Sequence, residues 1–176
     1  MPAFASPDPR NLLVGRGKVF LELLDPITFA SIGPLTDLGN VTLFETSDKT
    51  EIKERYSSQD PAGFLLARVV TRQTFSIKIT GDEFSMFNLA AALNGAISGA
   101  DTVLLGMQSS VEAHVQFVGN PVKGPAVQVD YWHVSFVPTG SIGFIKDDFA
   151  EYGLEGMVVA DLVNHPESPI ATAVYL

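Results

Sequence analysis

The sequence has 176 residues and a formal net charge of −9, and 46% of its residues are hydrophobic against 18% charged. This balance predicts one globular domain rather than a disordered chain, and the absence of cysteine excludes disulfides and thiolate metal sites. Its eleven Lys and Arg residues are scattered, which argues against a protein that grips nucleic acid through phosphates, since such binding needs a basic patch. The start of the chain lacks a basic segment followed by an apolar one, and no apolar run reaches the length of a bilayer-spanning helix. We therefore expect neither a signal peptide nor a membrane span.

The first part of the chain predicts an extended arm, two strands and a long charged loop. Residues 1–17 are rich in proline and lack periodicity, which favours an arm outside the core. Strands are predicted over residues 18–24 and 38–45. The following segment, residues 47–63, exceeds the usual length of a connection, and such loops are often functional or disordered, although a solvated surface explains its charges equally well. Its charged residues are Asp48, Lys49, Glu51, Lys53, Glu54 and Arg55.

The middle of the chain changes from a strand pattern to a helix pattern at Gly81. After a predicted strand over residues 64–71, residues 73–80 alternate, with three apolar side chains on one face and polar ones on the other. A short helix is predicted near residues 85–94, begun either by Thr80 with Glu83 or by Ser85 with Asn88, and ended by Gly95. Its large apolar residues serve either to cover the sheet or to contact a neighbour; they are Phe84, Phe87, Leu89 and Leu93.

The remainder predicts three more strands and a second extended arm. Residues 110–118 alternate cleanly, residues 126–137 form a long strand with neither face purely polar, and residues 153–163 form a late strand. Residues 164–176, with two prolines, are predicted to be a C-terminal arm. The fold class is therefore mainly β, a β-sandwich or barrel with one short flanking helix, in a single domain whose core spans residues 18–163.

No motif in the sequence carries catalytic, cofactor or metal chemistry. Gly15 and Gly17 precede a predicted strand rather than following one, so they do not form a dinucleotide-binding fingerprint. The three histidines have no metal-ligand spacing and are interpreted as surface residues of strands and a loop. Asp147 and Asp148 are interpreted as a solvated turn. We therefore expect no enzyme activity, no cofactor and no metal site.

Two motifs nevertheless carry a family resemblance. LGNVTLFE (residues 38–45) and GDEFSMFNLAAALNG (residues 81–95) resemble segments of tail tube proteins from long, flexible-tailed bacteriophages, and among these the chain looks most similar to tube proteins of flagellum-binding phages. The resemblance implies the β-sandwich with a flanking helix that is shared with the tube protein of type VI secretion systems. It also implies a structural virion protein, in which six subunits close their inner sheets into one β-barrel and stacked rings form the tube that delivers the genome.

The same resemblance implies partners and places. The partners are other copies of the chain, the tape measure protein and tail-end proteins, with double-stranded DNA passing through without specific binding and no membrane contact. The protein would be assembled in the host cytoplasm and reside in the phage tail. The charged residues of the predicted loop then become contacts between stacked rings.

The acidic balance has two explanations within this hypothesis. Carboxylates facing the lumen would repel DNA and keep it mobile, with Glu45, Glu112 and Asp130 as candidates. The acidity could equally well confer solubility. Two other functions stay open: a tube subunit of a contractile injection or type VI-like machine, whose rings can stay separate in solution, and a small-ligand-binding β-barrel, which requires an enclosed apolar pocket.

Overall fold

The computed structural model describes residues 12–59, 62–137, 142–145 and 147–176. In these residues it is mainly β with one short helix, so the predicted fold class is confirmed. The helix α1 spans Met86–Ala92. The strands are β1 (Gly17–Leu23), β2 (Thr36–Asp37), β3 (Val41–Tyr56), β4 (Leu65–Gly81), β5 (Ala96–Ser98), β6 (Thr102–Leu104), β7 (Val111–Gly119), β8 (Val127–Val137), β9 (Tyr152–Val158) and β10 (Ala171–Tyr175).

Eight strands form one antiparallel sheet. Its order is β2-β1-β7-β8-β9-β4-β3, with β10 added beside β8, while β5 and β6 form a separate small hairpin. The sheet curls until β3 contacts β1, and the rings of Phe44 and Phe117 stack at 5.1 Å across this closure. Within the described residues, no helix is long and apolar enough to cross a membrane.

The core lies inside the curl and consists of the apolar faces of the alternating strands. Ile77 and Ile79 of β4 are fully buried, and on β7 the apolar residues of the predicted alternation, Val111, Ala113 and Val115, are buried as well. Burial of aliphatic side chains stabilises the fold by roughly 1.5–3 kcal/mol each. The predicted faces of β4 and β7 are thereby confirmed.

The helix α1 begins at one of the two predicted N-caps. Ser85 is the N-cap, and its hydroxyl accepts a hydrogen bond from the backbone N–H of Asn88 at 3.0 Å. The buried Asn88 side chain donates to the carbonyl of Leu38 at 2.9 Å, which ties the helix to the loop before β3. The end of the helix differs from the prediction, because Asn94 with φ of 48°, not Gly95, takes the left-handed conformation.

The large apolar residues around α1 divide between the core and the surface. Phe84 is partly exposed and its ring packs edge-on against that of the buried Tyr152 at 5.6 Å. Burial, aided by the charges of Glu83 and Asp82, raises the pKa of Tyr152 to about 12. Phe87, Leu89 and Leu93 are all half-buried. The helix therefore covers the sheet and keeps a partly free flank.

The structure corrects the loop predicted over residues 47–63. Strand β3 continues through this segment to Tyr56, and the two strands predicted over residues 64–71 and 73–80 are one strand, β4. The pattern was misleading because this ribbon is exposed on both faces, so its residues do not alternate between apolar and polar.

The structure also revises the end of the chain. β9 ends at Val158 rather than at residue 163, and the predicted C-terminal arm contains β10, which pairs with Val127–Tyr131 of β8. β9 occupies the same side of β8 further along, opposite Val134–Val137. Residues 159–170, here called the strap, leave the sheet between these two strands and return to it. The predicted N-terminal arm lies largely outside the described residues.

Hydrogen bonds to the Asp161 side chain stabilise the first turn of the strap. Its carboxylate accepts the backbone N–H groups of Asn164 and Val163, at 3.0 and 3.2 Å, and lies 3.0 Å from His165. These hydrogen bonds, the one from the Asn164 backbone above all, lower the pKa of Asp161 to about 2.

Acid should therefore loosen the strap. Because the folded-state pKa of Asp161 lies below its unfolded value, the stabilisation is complete above about pH 4 and is lost as the pH falls toward 2. Hydrogen exchange of the strap amides, corrected for intrinsic rates, should accelerate over this range. In Asp161→Asn the acceleration should be absent. An identical acid response in the variant would contradict the assignment.

Candidate assembly interface

The β3–β4 hairpin extends beyond the rest of the sheet. Its two strands pair from Val41 opposite Gly81 outward to Tyr56 opposite Leu65, but β9 accompanies β4 only as far as Ser76. The part beyond this point, residues 47–75, is called the hairpin arm. It is a two-stranded ribbon whose turn is closed by a hydrogen bond from the Ser57 N–H to the Phe64 carbonyl at 2.8 Å.

The hairpin arm is exposed on both faces. On β3 every residue from 47 to 56 is exposed, and on β4 every residue from 65 to 73 is exposed. Isolated two-stranded hairpins are marginally stable in water, and clustered exposed apolar side chains mark interaction sites. An uncovered ribbon of this composition therefore indicates a binding surface. Its exposed large apolar residues are Ile52, Tyr56, Phe64, Leu65, Leu66, Val69 and Val70.

Charged residues accompany this apolar surface. Glu54 lies 3.5 Å from Arg68, and Glu51 lies 3.9 Å from Arg72, in both cases across the ribbon. Exposed pairs of this kind contribute about 0.2–1 kcal/mol or nothing. Within the described ranges, the basic residues of β3 make no ion pair; they are Lys49, Lys53 and Arg55.

Two irregularities shape the hairpin arm. The register shifts between Glu51 and Ile52 and again between Arg55 and Tyr56, which leaves Thr71 and Leu66 of β4 as extra residues. Such bulges increase the local twist and change the direction of side chains, and they are common at sheet edges, where they terminate strand pairing. The ribbon is therefore not a flat template for indiscriminate pairing.

The hairpin arm presents two different open edges. The outer edge of β3 is a border of the sheet along all 16 residues, and the outer edge of β4 is unpaired over residues 65–75. Open edges carry free backbone donors and acceptors, so they are templates for strand addition. Two unlike edges permit head-to-tail addition, which closes into rings when the rotation between copies allows it.

The predicted site residues fall in two places. The six charged residues predicted for ring stacking all lie on β3 in the hairpin arm, and Glu45 is exposed at its base, opposite Lys78. Glu112 and Asp130 instead lie in a polar network on the outer face of β7 and β8, where Asp130 is 7% exposed and accepts from Gln116 at 2.7 Å.

Glu112 belongs fully to this network. Burial alone would raise its pKa, but hydrogen bonds from Ser135, Ser110 and His133 outweigh burial and lower the pKa of Glu112. Ser135 donates at 2.7 Å, and His133 Nε2 lies 2.7 Å away. This carboxylate is therefore committed to contacts inside the subunit.

The cavities of the subunit are open rather than enclosed. One of about 540 Å³ lies between β1 and the base of β3 and is lined mostly by apolar side chains, and one of about 400 Å³ lies beneath the strap. Among the described residues, no cluster of three or more His, Asp or Glu side chains could hold a metal ion. The hairpin arm is thus the feature of the described structure with the clearest capacity to bind a partner.

Comparisons with known proteins give one family and one solved structure to report. The solved structure is the anti-feeding prophage cap, described as a tube terminating cap, with 11% sequence identity and a TM-score of 0.43 over 100% of this chain and 95% of that chain. No curated protein matches the sequence. The family model matches residues 12–103, just over half of the chain, and this region includes the hairpin arm and α1. The chain therefore belongs to the family described as protein of unknown function UCP028589.

Proposed function

We propose that this protein is a structural subunit that assembles with copies of itself through the hairpin arm into rings, and that the rings stack into a tube. The observation that carries the proposal is the hairpin arm, whose described residues, 47–59 and 62–75, form a ribbon with both faces exposed over most of its length and both edges open. A subunit that functioned alone would have no use for this surface and would bear its aggregation hazard.

Charge complementarity supports a second copy as the occupant. From Glu45 to Tyr56, β3 carries four acidic and three basic residues, whereas residues 65–75 of β4 carry two arginines and no acidic residue. The net charge of −1 on this stretch of β3 and of +2 on this stretch of β4 favours pairing between the open edge of β3 in one copy and the open edge of β4 in the next. Arg68 and Arg72 also lie near Glu54 and Glu51 of their own copy, so the charges add only modestly to the interface. Apolar side chains on both strands then add the burial that a lasting interface needs.

The resemblance of residues 38–45 and 81–95 to tail tube proteins supports a proposal about the kind of particle in which the chain assembles. We propose hexameric rings in the tail of a virion, with the tape measure and tail-end proteins as partners and the phage genome as the cargo. Six copies would carry 6 × (−9) = −54 formal charges. Glu45 is the lumen candidate that is exposed, while Glu112 and Asp130 are occupied inside the subunit. Repulsion of DNA and solubility both remain explanations for the acidity.

Electron microscopy of the purified full-length chain, together with sedimentation velocity, tests the proposal. We expect rings or tubes with a central channel, in proportions that rise with protein concentration. Tubes support the phage-tail assignment, and rings that stay separate support the injection-machine alternative, which shares the same interface. A chain that stays monomeric at all concentrations reached would overturn self-assembly.

A further inference from the structure

The two faces of the hairpin arm differ in charge. Register partners share a face of a ribbon, and successive residues of a strand alternate between its faces. Glu51 and Glu54 of β3 are three residues apart, so they lie on opposite faces, each beside its own arginine partner. The face that holds Glu51 also holds four basic residues and is here called the basic face; they are Lys49, Lys53, Arg55 and Arg72.

The basic face has a net charge of +3, from four basic residues and one acidic residue. The opposite face carries Asp48, Glu54 and Arg68 and has a net charge of −1. Val69 lies on the basic face opposite Lys53 and is 58% exposed, so this face also presents apolar surface. In a chain whose net charge is −9, such a face indicates a partner that is both acidic and apolar.

A second exposed surface lies at the other end of β4. Strand β9 begins at Tyr152 opposite Gly81, where the loop before β9 meets the turn before α1. The rings of Phe84 and Phe144 lie 6.4 Å apart where these two segments meet. Residues 82–84, 144, 145 and 147–151 are here called the distal surface. Within it Phe144, Ile145 and Phe149 are exposed by 68%, 99% and 83%, and clustered apolar residues of this kind mark interaction sites.

The distal surface is acidic. The Asn40 side chain donates to Asp82 at 2.7 Å and the Asn40 backbone N–H donates to Glu83 at 3.0 Å, but these neutral donors leave both negative charges in place. In the described part of the chain, no acidic residue of this surface forms an ion pair. With Lys146, which the sequence places in the same loop, the net formal charge is −4. The acidic residues are Asp82, Glu83, Asp147, Asp148 and Glu151.

Strand β4 keeps these two surfaces apart within one copy. The 12 steps along β4 from Val69, opposite Lys53, to Gly81 correspond to about 40 Å at 3.3 Å per residue. The basic face and the distal surface therefore cannot meet in the same subunit. They can meet between two copies placed head to tail along the strand direction, and unlike surfaces that pair in this way generate open stacks.

We propose that the distal surface of one copy binds the basic face of the hairpin arm of a copy in the next ring, so that rings stack head to tail. This inference rests on the proposed self-assembly and assigns to stacking a face of the arm that edge-to-edge pairing within a ring leaves free. Opposite charges give the contact its orientation. Val69 of the arm, with Ile145 and Phe149 of the distal surface, supplies the apolar area.

Reversing the charges of one surface at a time tests the proposal. Lys53→Glu with Arg55→Glu changes the basic face from +3 to −1, and Asp147→Lys with Asp148→Lys and Glu151→Lys changes the distal surface from −4 to +2. Each variant alone should form rings but need about tenfold more protein to form tubes, because like charges then meet between rings. A mixture of the two variants should form tubes at nearly the wild-type concentration, since both contacts again join opposite charges. Sedimentation velocity and electron microscopy measure rings and tubes separately.

Two control variants reverse exposed charges outside both surfaces. Lys123→Glu and Glu167→Lys should leave stacking unchanged. Normal tubes from either reversed variant alone, or a mixture with no more tubes than its components, would overturn the inference. Reversed variants that no longer form rings would also overturn it, because the charges would then act within a ring. Wild-type rings that never stack refute the head-to-tail contact alone, whereas a wild-type chain without rings refutes the proposed function as well.

Discussion

A variant that lacks the hairpin arm should fold as the wild-type subunit does and fail to assemble. Asp48 and Phe75 are register partners, so residues 49–74 can be replaced by Asn-Gly, the preferred two-residue hairpin turn. The contacts of β4 with β9 and the core begin at Ser76 and remain in place. We expect the free energy of unfolding to change by no more than about 1 kcal/mol, because the described residues among those deleted, 49–59 and 62–74, are almost entirely exposed.

Assembly of this variant should be abolished rather than weakened, since the outer half of the open edge of β3 and nearly all of the open edge of β4 are lost together. Sedimentation velocity and electron microscopy measure the outcome, and denaturant unfolding confirms the fold. The matched control replaces residues 58–63 with a tight turn and keeps the paired strands, so it should still assemble. Normal rings or tubes from the armless chain would place the interface elsewhere.

Ile79→Ala should lower the free energy of unfolding by about 2–5 kcal/mol. The Ile79 side chain is completely buried in the core, and truncating a buried isoleucine removes apolar contacts and leaves a cavity. Because domains of this kind have about 5–15 kcal/mol of stability in total, this is the largest effect that we expect from a single substitution in β4. Denaturant unfolding of the monomer measures it.

Val70→Ala is the counterpart on the same strand. Val70 is 59% exposed in the hairpin arm, so its truncation should change monomer stability by less than about 0.5 kcal/mol while weakening assembly. The two variants should thus separate folding from association along one strand. Equal losses of monomer stability at both positions would show that the hairpin arm is part of the subunit core.

Elements with one buried face were predictable from the sequence. In β7 and in the inner half of β4, a two-residue period follows directly from packing one face on the core. The start of α1 was narrowed to two possible caps, Thr80 with Glu83 or Ser85 with Asn88, and the structure has the second. In each case the local sequence and the tertiary environment impose the same conformation.

The hairpin arm could not be predicted because its residues pack against nothing else in the described chain. A strand that packs on nothing shows no binary pattern, and the charged residues of β3 are typical of a loop as well as of a guarded edge. The sequence offered two signals. Between Asp48 and Arg55 the acidic and basic residues balance in number, and the β-branched pair Val69 and Val70 follows later in the chain. The β-branched residues indicate strand, while the charges indicate exposure.

The three histidines that line the cavity beneath the strap could not be grouped from the sequence, for a different reason. His114, His133 and His165 are separated by 19 and 32 residues, so only the pairing of β7 with β8 and the return of the strap bring them together. A search for metal spacing finds nothing in such a set. The clue in the sequence was that polar residues alternate along β7, while the long strand that became β8 has both polar and apolar residues on each of its faces.

The mixed charges along the open edge of β3 would affect when growth of the proposed polymer begins. A shift of β3 against a neighbouring strand by a few residues brings different charges face to face, and like charges directly opposite each other are destabilising. In the proposed assembly, most collisions between free copies would therefore be unproductive, whereas a growing end that already holds the correct register would accept each new copy readily. We expect a lag before polymers grow, and adding preformed polymer ends should abolish this lag. The number of preformed ends, rather than the amount of protein, should then determine how many polymers form.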